Sequence, residues 1–174
     1  MVLISWLLAC APKGPPVAAA NPTPVDLVLV AEDQGDSAPR DVPPTAATRI
    51  GQLAADRNLL PRPITASVWS EAFASRETVE QRLAFAGAQP GASSATVLVT
   101  VEPGYFGIVS GRYRWTVDVD VALHAPDADA ARHFQVPVLL TWDHEREDAA
   151  INAALPLIAR EIELQLDRWL GTAN

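Results

Sequence analysis

The sequence has a single cysteine, a single lysine and only three histidines in 174 residues. One cysteine rules out an internal disulfide framework, and without a CxxC pair or a Cys/His array there is no recognisable zinc site. Lys13 is the only lysine, the arginines that supply the remaining basic charge form no cluster, and the formal charge is −8. Nucleic acid is therefore not an expected partner. No GxSxG motif occurs, and the glycines between Gly87 and Ser94 lack the spacing and lysine of a phosphate-binding loop. These absences leave no expected catalytic residue, metal or cofactor, and the chain is not expected to be an enzyme.

What is present starts at the N-terminus. Residues 2–9 are uncharged and, Ser5 apart, apolar, as the core of an export signal should be. They make up less than half of the roughly 20 residues that a membrane-spanning helix needs. Small Ala9 precedes Cys10, and Ala11-Pro12 begins an extended, protease-accessible segment. On these residues alone Cys10 could be an ordinary free thiol in an irregular N-terminus. The run Leu7-Leu8-Ala9-Cys10, however, resembles the lipobox of bacterial lipoproteins. That resemblance implies a signal peptide over residues 1–9, cleavage before Cys10 and three fatty acyl chains, palmitate among them, on the new N-terminus. Several chains make a lasting anchor, since each buried methylene contributes about 0.8 kcal/mol. Ala11, rather than Asp, follows the cysteine. By the same resemblance this implies retention at the outer membrane, facing the periplasm.

Residues 10–44 read as a proline-rich tether with one plausible strand, Val25–Ala31. At about 3.1 Å per residue in a polyproline conformation, the stretch 11–24 reaches roughly 45 Å. Residues 45–170 should form the folded periplasmic domain. Thr45 or Thr48 can cap a helix through about Arg57, and Pro61-Arg62-Pro63 reads as a turn. Ile64 to Trp69 then reads as a strand, and Ser75 as the cap of a helix bearing Val79, Leu83 and Ala86. Val97, Val99 and Val101 share one side of a further strand. Tyr113 to Leu123 and Phe134 to Trp142 alternate apolar and polar residues, which predicts a long antiparallel hairpin around Ala125-PDADA. Pro137 removes a backbone donor, so the second of these strands is expected at a sheet edge or bulged there. Ile151, Leu155, Ile158, Ile162, Leu166 and Trp169 form the stripe of a long C-terminal amphipathic helix, interrupted by Pro156 and stopped near Gly171. The expected fold is α+β, a mostly antiparallel sheet with helices packed on one face.

The runs SRETVEQRLAFAGA, ATVLVTVE and GRYRWTVDVDVALHAPDAD, followed by another strand and a terminal helix, are similar to the periplasmic αβ domains of small lipoproteins. Examples are the activators of penicillin-binding proteins and the curli-secretion lipoprotein. The resemblance is one of layout, and it implies no site residue beyond Cys10.

Few side chains suggest chemistry. His124 and His133 flank the expected hairpin turn and could meet across it with Asp127 or Asp129 to hold a metal weakly, although solvated turn residues are the simpler account. Asp143-His144-Glu145 reads as an exposed acidic linker. Asp118 and Asp120 share a strand face with Arg112 and Arg114, so cross-strand charge pairing is expected there. Tyr105 and Phe106 stand out because they lie between glycines in an expected loop, Glu102 to Ser110, where periodicity does not require aromatics. They are the candidate contact residues; the alternative is that they fold back and cap the sheet. The functional expectation is an envelope lipoprotein, held at the membrane by lipid, whose domain binds a protein or envelope component of a membrane-associated machine. Alternatives are an auxiliary lipoprotein of lipid or lipopolysaccharide transport, with an apolar groove under the last helix, and a hydrolase with an unrecognised site.

Overall fold

The β-branched runs come together in one six-stranded sheet. The computed structural model describes residues 21–33, 38–74, 78–126, 128–141 and 147–171. In chain order the elements are β1 (Thr23–Ala31), β2 (Arg40–Asp41), α1 (Pro44–Ala55), β3 (Leu59–Ile64) and α2 (Ala66–Ala74). They continue with α3 (Val79–Gly87), β4 (Ala95–Val109), β5 (Arg112–Ala125), β6 (Ala128–Leu140) and α4 (Glu147–Trp169). The strand order is β2-β1-β4-β5-β6, with β3 also on β1. β1 runs parallel to β3 and β4, and the other pairings are antiparallel. This is the expected α+β class, with a mostly antiparallel sheet and a long final helix.

The helices, however, do not keep to one face. α1 and α4 cover one side, packing Ile50, Leu53, Ile151, Ile158, Ile162 and Leu166 against alternate residues of β1, β4, β5 and β6. On the other side Trp69, Phe73, Leu83 and Ala86 of α2 and α3 cover Val28, Val30, Leu98 and Ala122. β1 and the first half of β4 are central and parallel, and such strands are apolar on both faces because both are covered. Their sequences, VDLVLVA and ATVLVTV, are nearly continuous apolar runs and carry that signal.

Local differences have identifiable causes. α1 begins at Pro44 after Pro43, with no side-chain cap; proline's fixed φ suits the first helical position, so neither Thr45 nor Thr48 is needed as a cap. The expected turn at Pro61-Arg62-Pro63 is instead part of β3, which pairs only with β1. Two prolines spaced by two withhold donors on one side of the strand, which an edge tolerates. The expected strand Ile64 to Trp69 is mostly helix α2, because Ala66, Trp69 and Phe73 are buried at helical spacing while Val68 is 73% exposed. Asp41 accepts from the Ala66 N–H at 2.5 Å and so caps α2. Thr78 caps α3 in a capping box with Gln81; Ser75, the expected cap, lies outside the described residues. β6 pairs only with β5, so Pro137 does sit on an edge. Pro156 lies within α4 on its exposed side, where water can serve the carbonyl that loses its helical donor.

One buried ion cluster fixes the start of the sheet. Asp26, 4% exposed, accepts from Arg62 Nε at 2.7 Å, the Ser93 N–H at 2.8 Å and the Ser93 hydroxyl at 2.8 Å. Burial alone would raise the Asp26 pKa, but these hydrogen bonds outweigh it and hold the carboxyl below its ordinary value. Arg57, at the end of α1, ties α4 down through Asp167 at 2.6 Å and Glu163 at 3.0 Å.

Candidate functional site

β4 outruns β1. Ala31 of β1 pairs with Val101, and beyond that point β4 continues to Val109 with only β5 beside it. The segment expected to be a loop is therefore strand. A bulge between Tyr105 and Gly107 inserts Phe106 as an extra residue, and Gly107 takes φ +120° to accommodate it. The strands reverse through Ser110 and Gly111, both with positive φ (52° and 74°). A two-residue turn needs that backbone to match the strand twist.

The bulge sends the two candidate aromatics to opposite sides. Tyr105 lies opposite Trp115, its ring 5.3 Å from the indole and 6.5 Å from Tyr113, on the face that α4 covers further down. Ile108 pairs with Tyr113 and shares that face. Phe106 lies on the other face under Arg114, whose guanidinium carbon is 5.9 Å from the ring centre. Val109, opposite Arg112, is on that side too. Exposure is 65% for Phe106, 63% for Ile108 and 46% for Tyr105. Tyr105 is thus half folded back on the sheet, and Phe106 is not. Leu139 of β6, opposite Arg114, adds a further exposed apolar side chain.

The signal missed in the sequence is a gap in charge. Residues 103–117 contain Arg112 and Arg114 but no Asp, Glu or Lys, in a chain of formal charge −8. Neither arginine makes an ion pair among the described residues. The expected pairing with Asp118 and Asp120 does not form. The register instead sets Gln135 opposite Asp118 and His133 opposite Asp120, with contacts of 2.6 and 3.0 Å. Behind the tip lies a group of acids. Glu102 is directly opposite Asp118, and its pKa is raised by burial first and then by Asp118 and Glu32, partly offset by Arg82.

At the other end of β5, His124 Nδ1 lies 2.5 Å from Asp129 Oδ1. The turn between β5 and β6 is shorter than expected, with Ala125 paired to Ala128. His124 therefore faces Asp129, His133 faces Asp120, and the two histidines do not meet. His124 and Asp129 line a cleft of about 230 Å³ with Val79, Glu80 and Leu83 of α3. Among the described residues no group of three or more His, Cys, Asp or Glu side chains could hold a metal ion. Cys10, Asp127 and the Asp143-His144-Glu145 run lie outside the described residues.

No protein-family model and no curated protein matches the chain. Among solved structures it is similar to the lipoprotein GNA1162 from Neisseria meningitidis, with 14% identity and a TM-score of 0.40 over 81% of this chain and 98% of that one. An uncharacterized protein gives 14% identity and a TM-score of 0.40 over 80% and 92% of the two chains. The hypothetical protein CT253 from Chlamydia trachomatis gives 9% identity and a TM-score of 0.37 over 85% and 96%.

Proposed function

We propose that the chain is a non-enzymatic envelope lipoprotein, anchored by acyl chains on Cys10 at the outer membrane, whose domain makes its functional contact through the end of the β4–β5 hairpin. One observation carries this reading. Of the ten large apolar side chains exposed among the described residues, five (Tyr105, Phe106, Ile108, Val109 and Leu139) gather at the end of the sheet opposite to where β1 begins. The 15 residues of β4 span roughly 50 Å at about 3.3 Å per residue. No helix of the described residues is long and apolar enough to cross a membrane, which leaves the role of anchor to Cys10 in this reading.

The lipid-carrier alternative loses support because the space between α4 and the sheet is filled. Ile151, Ile158, Ile162 and Leu166 are each at most 1% exposed there. The hydrolase alternative keeps one supporting observation, the His124–Asp129 pair in its cleft, and activity of the unsubstituted chain in a broad hydrolase screen that is lost in His124→Ala would favour it. Among the described residues no serine, threonine or cysteine lines that cleft to act as a nucleophile.

The leading reading is tested in cells by fractionating Cys10→Ala and by placing a photo-crosslinking residue at Phe106. Cys10→Ala should move to the soluble periplasmic fraction, and position 106 should give an adduct with an envelope component. Persistence of Cys10→Ala in the membrane fraction, or the absence of any adduct, contradicts the reading.

A further inference from the structure

We infer that the β4–β5 tip is a shallow wedge that inserts into an anionic lipid interface. The inference rests on the reading above, that this tip is the contact surface, and names what it contacts.

Three observations favour a bilayer over a protein surface. First, apolar side chains project from both faces of the same strand end, with Tyr105 and Ile108 on one side and Phe106 and Val109 on the other. A folded partner covers one face of such a ribbon, whereas a fluid interface surrounds both. Aromatic and aliphatic side chains beside arginine are also the composition of an interfacial anchor. Second, the only charges across residues 103–117 are Arg112 and Arg114, both on the face of Phe106 and without an acidic partner among the described residues. Unpaired arginines on one face of the apolar tip, Arg112 beside the turn and Arg114 opposite Gly107, are placed to meet lipid phosphates at a shallow depth, each worth about 1 kcal/mol near an anionic surface. Third, insertion has a built-in stop. Glu102 and Asp118 form a cross-strand pair immediately behind the tip, and Asp120 and Glu32 add negative charge nearby. An anionic surface repels these groups, so entry is tip first and confined to the outermost residues of the hairpin.

The test uses the full chain with Cys10→Ala, so that one added cysteine carries an environment-sensitive fluorophore. Ile108→Cys places the fluorophore at the tip and Ala131→Cys places it near the opposite pole; both sites are exposed, so neither change disturbs the core. With phosphatidylglycerol-containing vesicles the label at 108 should shift to the blue while the label at 131 does not, and phosphatidylcholine vesicles should produce neither shift. Arg112→Gln with Arg114→Gln should weaken the binding roughly thirtyfold, equivalent to about 2 kcal/mol. A label at 108 that stays water-exposed, or that shifts equally with both lipids, overturns the inference. If that label is silent with vesicles while position 106 still crosslinks to a protein in cells, the wedge is wrong and the contact-surface reading survives. If both are silent, both fall. A shift that depends on protein concentration and needs no vesicles assigns the tip to a second copy of the chain and also overturns the inference.

Discussion

The two halves of β4 both carry large apolar side chains and have opposite surroundings. From Ala95 to Val101 the strand lies between β1 and β5, with helices above and below, and every residue is buried. From Glu102 to Val109 it has one neighbouring strand among the described residues; Pro103 and Gly104 are still buried, but Tyr105, Phe106, Ile108 and Val109 are exposed. Apolar residues in the first half are what the hydrophobic effect demands of a central strand. The same chemistry in the second half earns no such burial, and a folded monomer would be no less stable with polar residues there. Large apolar side chains kept in water at a projecting end are the mark of a contact surface.

The contrast between the halves can be broken experimentally, beginning with the larger effect. Leu98→Ala, in the first half, removes a fully buried side chain between Val28, Val30 and α2. It should cost about 3 kcal/mol in urea denaturation and leave the lipid response of the tip unchanged at temperatures where the variant is folded. Glu102→Gln, at the junction of the halves, removes a like-charge opposition to Asp118 and should stabilise the neutral-pH fold by a few tenths of a kcal/mol. The sign follows from linkage. Because the folded state raises the Glu102 pKa above its ordinary 4.5, its contribution is fully present below that value and is lost as pH rises through the folded pKa. The advantage of Glu102→Gln should thus appear above the folded pKa and vanish below 4.5, in thermal melts of the two proteins side by side.

Much of this architecture was legible in the sequence because it rests on periodicity. The alternation of Trp115, Val117, Val119, Val121 and Leu123 put them on the buried face they occupy. The stripe of Ile151, Ile158, Ile162 and Leu166 put α4 on the sheet. The region between Thr45 and Ser94 was harder to read, since its elements are short and the same residues fit two periods. Ile64, Ala66 and Val68 alternate like a strand, but tertiary burial of Trp69 and Phe73 favours a helix from Ala66. The second helical layer is hard to read because its two helices are short and bury only a few side chains, Trp69, Phe73, Leu83 and Ala86. At the candidate site, Tyr105 and Phe106 were visible as unexpected aromatics. The bulge that separates them depends on the pairing with β5, which no local pattern reveals. Arg112 and Arg114 read in the sequence as partners of Asp118 and Asp120, and only the hairpin brings them to one end with Ile108.

The central claim is that the outer half of β4 serves contact rather than the core. The most direct measurement is the unfolding free energy of the double variant Phe106→Ala, Ile108→Ala, determined alongside its vesicle binding. Both side chains are more than 60% exposed, so stability should change by no more than about 0.5 kcal/mol, while binding to phosphatidylglycerol-containing vesicles is lost. A loss of several kcal/mol of stability, with binding retained by the protein that stays folded, would show that these side chains hold the fold together and would contradict the account.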